Sequence, residues 1–104
     1  MAWFYLLVAG VLEIVWALFL KQSQGFTRLV PSLIMLVALA GSMLFLALSL
    51  RALPLGTAYA IWTGIGAVGT FLLGIALLGE PASAMRLAAA GLIVSGLVLM
   101  KLSA

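Results

Sequence analysis

Glu13 stands alone as an acid in the apolar run GVLEIVWALFL, residues 10–20. At the centre of a membrane helix a charged side chain costs roughly 2.5–3.5 kcal/mol on insertion scales, so this carboxylate needs a partner or a task. At helical spacing Leu6, Ala9, Gly10, Glu13, Trp16, Ala17 and Leu20 share one face. Gly10 and Ala17 let another backbone approach closely, and Glu13 is therefore expected to face protein or a cavity rather than lipid. A carboxylate placed there binds a proton or a cation in competition. Competition at one site, joined to alternating access, is sufficient for antiport. The structural alternative is a glutamate satisfied by a hydrogen bond between helices.

Aromatic and small polar residues supply the rest of a candidate site. Tyr59, Trp62, Thr63 and Gly66 recur at helical spacing in GTAYAIWTGIGAVG. Aromatic faces attract cations at ~0.5–2 kcal/mol each, so Trp16 and Trp62 suit a planar cation. Trp3 and Tyr5, at the start of the chain, fit a membrane-interface belt instead. Ser42 is expected ~12 Å below the membrane face and Glu13 ~16 Å, close enough for the hydroxyl to donate to the carboxylate. The alternative for Ser42 is a bond back to its own helix carbonyl. Gly64 and Gly66 invite a kink, and a bend there would exchange which side of the membrane is open. Ala88, Ala89, Gly91, Ser95 and Gly96 form a small-residue surface that predicts a dimer interface.

The elements that carry these residues follow from composition. Of 104 residues 67% are hydrophobic and 7% charged, too apolar for a soluble domain of this size. The fold class is therefore all-α: an integral membrane protein with four transmembrane helices in one domain, residues 1–104. The spans are expected at about 2–20, 29–50, 57–78 and 84–101, separated by KQSQGFTR, RALPLG and GEPASAMR. The first run has no basic leader and no small-x-small cleavage site, and reads as a mature span. Fourteen residues separate Arg86 from Lys101, ~21 Å of helix against ~30 Å of hydrocarbon, so those ends are expected to snorkel.

Charge placement bears on orientation and on chemistry. Arg51, Lys101 and the terminal amine share one side, while Lys21, Arg28 and Arg86 share the other, partly opposed by Glu80. This near tie gives little instruction for orientation, which predicts dual topology and an antiparallel homodimer. The five basic residues end apolar runs and form no stripe, so nucleic acid is not an expected partner. Cysteine and histidine are absent, which removes thiol chemistry, imidazole catalysis and the usual transition-metal sites. No cofactor or metal is expected, and no nucleophile stands beside a base as an enzyme would need. Glu80 is expected to cap the third span or to pair with Arg28 or Arg86.

Taken together, GVLEIVWA, SQGFTRL, LPLGTAYAIWTGIGAVGT, LGEP and GLIVSGLVL resemble the small multidrug resistance family across essentially the whole chain. Trp16, and Thr rather than Ser after Trp62, resemble its guanidinium-exporter subtype. The resemblance implies a proton-coupled exporter of guanidinium in the bacterial inner membrane, working as an antiparallel homodimer. It implies Glu13 as the shared proton and substrate site, with Trp16, Ser42, Tyr59 and Trp62 around it, a kink at Gly64 and Gly66, and a dimer surface at Gly96. The chemistry of the ion agrees, since guanidinium is planar, permanently charged, bidentate toward carboxylates and able to stack on indole. Two other readings stay open: a broad quaternary-ammonium exporter, and a small structural or proton-conducting membrane subunit.

Overall fold

A bilayer offers no water to satisfy backbone N–H and C=O groups, so each apolar run closes its own hydrogen bonds as a helix. The computed structural model describes residues 1–103, and in that range the chain forms α1 (Ala2–Gln22), α2 (Leu29–Ser49), α3 (Leu55–Leu78) and α4 (Ala84–Ser103). All four are long and apolar enough to cross a membrane. Local chemistry sets the ends. Ser23 is buried, donates its hydroxyl to the Leu20 carbonyl at 2.6 Å and accepts from the Phe26 N–H at 3.2 Å. That turn carries three successive left-handed residues, Gln24, Gly25 and Phe26, at φ 49°, 72° and 68°. Extended Pro54 (φ −61°, ψ 147°) leads into α3, and left-handed Gly79 (φ 68°) ends it.

Two contacts fix how the helices run. Lys21 Nζ lies 3.8 Å from Glu80 Oε2, which joins the last turn of α1 to the end of α3. Lys101 Nζ sits 5.1 Å from the Trp3 ring centroid, which joins the start of α1 to the end of α4. Thus α1 and α3 run parallel and α4 runs against them. The first contact also corrects part of an expectation: Glu80 does cap α3, through its N–H to the Gly74 carbonyl at 3.1 Å, but its carboxylate pairs with Lys21, not with Arg28 or Arg86. The left-handed turn at Gly79 folds Glu80 back toward α1 instead of outward along the loop.

Helix α1 packs on α2 and α3, while α4 packs mainly on α3 and reaches α1 through Lys101 over the Trp3 ring. The core is formed by Leu6, Ala9, Leu46, Ala58, Ile61 and Trp62, contributed by α1, α2 and α3, and no α4 residue is buried. The molecule measures 41 × 34 × 16 Å. The arrangement is an open slab with broad apolar faces, not a closed bundle.

Candidate functional site

Glu13 lies one turn beyond Gly10, where α3 packs closely on α1. A Cβ at Gly10 would stand 2.9 Å from Ile65 Cβ, so glycine there draws α3 against α1. One turn further along, the Glu13 carboxylate lies over Gly66, where a Cβ would overlap it, and Ile14 fills the equivalent space over Gly69. Helix α3 continues unbroken through Gly64 and Gly66. What both glycines provide is close approach: Gly66 receives Glu13, and Gly64 receives Leu97 of α4. At Gly91 and Gly96 a Cβ would meet nothing within 4 Å, so that small-residue surface is open in the single chain.

Glu13 and Trp16 share a cavity of about 300 Å³ with Ala17, Thr63, Gly66, Ala67 and Thr70. Glu13 Oε2 and Trp16 Nε1 are buried and have no hydrogen-bond partner among the described residues. A buried polar atom normally has a partner, and leaving one without costs free energy, so these two unpaired atoms set the Glu13 and Trp16 pair apart from the other buried polar groups of the fold. A larger hollow of about 460 Å³ lies between α1, α3 and α4, but apart from Lys101 its walls are apolar, with Trp3, Leu6, Ile61 and Leu97 among them. It offers no acceptor for a cation. Among the described residues no group of three or more acids, histidines or cysteines could hold a metal.

The remaining candidate residues form a second group beside the first. Ser42 is fully buried, donates its hydroxyl to the Ala9 carbonyl at 2.7 Å and accepts from Trp62 Nε1 at 2.9 Å. This corrects the expected donation from Ser42 to Glu13. The single hydroxyl proton is committed one turn earlier on α1, to the carbonyl that in helix geometry accepts the Glu13 N–H. The bond also differs from the alternative of a Ser tied to its own helix, because it crosses from α2 to α1. Trp62 is only 7% exposed, and Tyr59, 53% exposed, packs on it with ring centroids 5.4 Å apart. Within one chain, then, the fold brings Glu13 to Trp16 and ties Ser42 to Trp62 and Ala9. Neither Ser42, Tyr59 nor Trp62 lines the Glu13 cavity. Sequence reasoning missed Ala67 and Thr70, although both continue the Thr63–Gly66 face by one further turn.

Residues 1–93 match the family described as Small Multidrug Resistance protein. The chain belongs to the small multidrug resistance family. Relatives within it are nearly as long and close in sequence. A protein of Yersinia pestis named "Guanidinium exporter" is 57% identical over 103 residues, 99% of each chain. Proteins of the same name from Citrobacter freundii and from Salmonella typhimurium strain LT2 are 56% and 57% identical, covering 99% and 100% of this chain and 98% and 99% of their own. With its four apolar helices, this small multidrug resistance protein is a multi-pass membrane protein.

Proposed function

We propose that the protein exports guanidinium ion, and small substituted guanidines, in exchange for protons across a bacterial inner membrane. It is a transporter, not an enzyme. The observation that carries this reading is that Glu13 and Trp16 together line one cavity of about 300 Å³, the carboxylate and the indole each keeping a buried polar atom without a partner among the described residues. Guanidinium fits that pair of groups. Two of its N–H groups bond a carboxylate side by side, and its flat faces stack on an indole. The names and the 56–57% identity of the relatives support the same substrate.

The working unit in this reading is an antiparallel homodimer. One chain is a slab 16 Å thick that leaves the Gly91–Gly96 surface of α4 and the open side of the Glu13 cavity unpaired. A second, inverted copy covers both and brings its own Glu13 to a similar depth. It also brings the exposed ring of Tyr59, which packs on the buried Trp62, toward the shared site, which it does not reach within one chain. Inverted symmetry of this kind is what lets two halves exchange conformations around a fixed central site. Proton and guanidinium compete for Glu13, so release of one accompanies binding of the other.

The test is uptake of guanidinium into proteoliposomes under an imposed proton gradient, with wild type and Glu13→Gln compared and a tetraalkylammonium as competitor. Gradient-driven flux that disappears in Glu13→Gln and resists the bulky competitor is the expected result. Flux of the tetraalkylammonium without guanidinium flux would replace this reading with a broad quaternary-ammonium exporter. No coupled flux of either would leave a structural or proton-conducting subunit.

A further inference from the structure

Ala17 and Thr70, which line the Glu13 cavity, also line a second, narrower hollow of about 60 Å³ between α1 and α3, whose far walls include Gly74, Lys21 and Glu80. From Glu13 to Lys21 is eight residues of α1, ~12 Å along the axis. The two hollows thus follow one another along the α1–α3 seam from the central carboxylate toward the membrane face, and a second carboxylate stands at the seam's outer mouth. That position is built by the backbone. Left-handed Gly79 reverses the chain, the Glu80 N–H donates to the Gly74 carbonyl at 3.1 Å, and the carboxylate settles over Gly74, where a Cβ would overlap it.

Lys21 is a weak occupant of this seat. Its ammonium approaches only to 3.8 Å, and the two side chains are 65% and 42% exposed. Exposed pairs of this kind contribute little to stability. A guanidinium ion, with two parallel N–H groups, makes the better match for the same carboxylate. Resting on the guanidinium export proposed above, we propose that Glu80 is a positioning residue for transport: at the mouth of the α1–α3 seam, the substrate cation displaces Lys21 from its carboxylate on the way between water and Glu13. Lys21 is then the resident counter-ion that keeps the mouth closed when no substrate is present. In an inverted pair each membrane face carries one such mouth.

The experiment measures guanidinium uptake into proteoliposomes over a range of concentrations for wild type, Glu13→Gln, Glu80→Gln, Lys21→Gln and Lys21→Gln/Glu80→Gln. Guanidinium Kd is measured in detergent by tryptophan fluorescence. Glu80→Gln is expected to raise KM about two- to fivefold, the range of an exposed charge pair, with kcat and the Kd at Glu13 unchanged. Lys21→Gln, which frees the carboxylate, lowers KM. The double variant decides between a placed residue and a surface charge. It is expected to keep the high KM of Glu80→Gln, because Lys21 acts only through Glu80. A wild-type KM in the double variant, whose net charge is that of the wild type, overturns the proposal, as does an unchanged KM in Glu80→Gln. Wild-type flux that fails to exceed that of Glu13→Gln would instead overturn the function reading itself.

Discussion

Replacing Ser42 by alanine removes one buried oxygen that joins three helices. In the native arrangement the hydroxyl donates to Ala9 on α1 at 2.7 Å and accepts from Trp62 on α3 at 2.9 Å. Hydrogen bonds between membrane helices average ~0.6 kcal/mol in double-mutant cycles, so the two together contribute about 1 kcal/mol. The Trp62 N–H, buried with its ring 7% exposed, then has no partner, and the penalty of an orphaned donor brings the whole loss to ~1–3 kcal/mol. Ser42→Ala is therefore expected to destabilise the monomer fold by about 1–3 kcal/mol, a factor of roughly 5–150 in the folding equilibrium. Reversible unfolding from bicelles or mixed micelles, followed by tryptophan fluorescence, measures it. A cycle with Trp62→Phe isolates the bond, and a coupling of ~0.5 kcal/mol or more is expected. Zero coupling, or a variant as stable as wild type, would refute the assignment of this hydroxyl as a structural tie. It would return Ser42 to a role at the Glu13 carboxylate.

Two glycines make sharper tests of close approach. Gly66→Ala places a Cβ where the Glu13 carboxylate lies, so guanidinium transport should fall by more than about tenfold while the size-exclusion profile stays normal; near-normal flux would contradict the geometry. Gly64→Ala overlaps Leu97 and should cost ~1–3 kcal/mol by overpacking the contact between α3 and α4. Removing the neighbour should cancel that effect, leaving Gly64→Ala/Leu97→Ala no less stable in unfolding assays than Leu97→Ala alone.

Much of this protein is legible in one dimension because a bilayer is a simple solvent. Twenty-residue apolar runs have a single way to satisfy their backbone, so four spanning helices follow from composition and length. Glu13 is visible for the same reason: in an apolar run an acid is costly enough to be noticed. Trp16 follows from helical spacing, since residues three apart share a face. The partner of Ser42 was less accessible. Depth alone put Ser42 near Glu13, and only the rotation of α2 about its axis selects the Ala9 carbonyl instead. Helix rotation is set by packing, which no single helix encodes.

The same division explains the glycines and Glu80. A sequence shows that Gly64, Gly66 and Gly74 lack side chains, but not what occupies the space. The tertiary structure fills those spaces with Leu97, Glu13 and Glu80 respectively. Likewise the charge of Glu80 and of three cations at one membrane face is plain from residue order, whereas the choice of Lys21 depends on the left-handed turn at Gly79 and on α1 and α3 ending side by side. Local chemistry and the bilayer determine the number of helices, their lengths and the residues able to bind a cation. Which of those residues meet is decided by the close contacts between helices, because sub-ångström complementarity belongs to pairs of surfaces and not to any one stretch of chain.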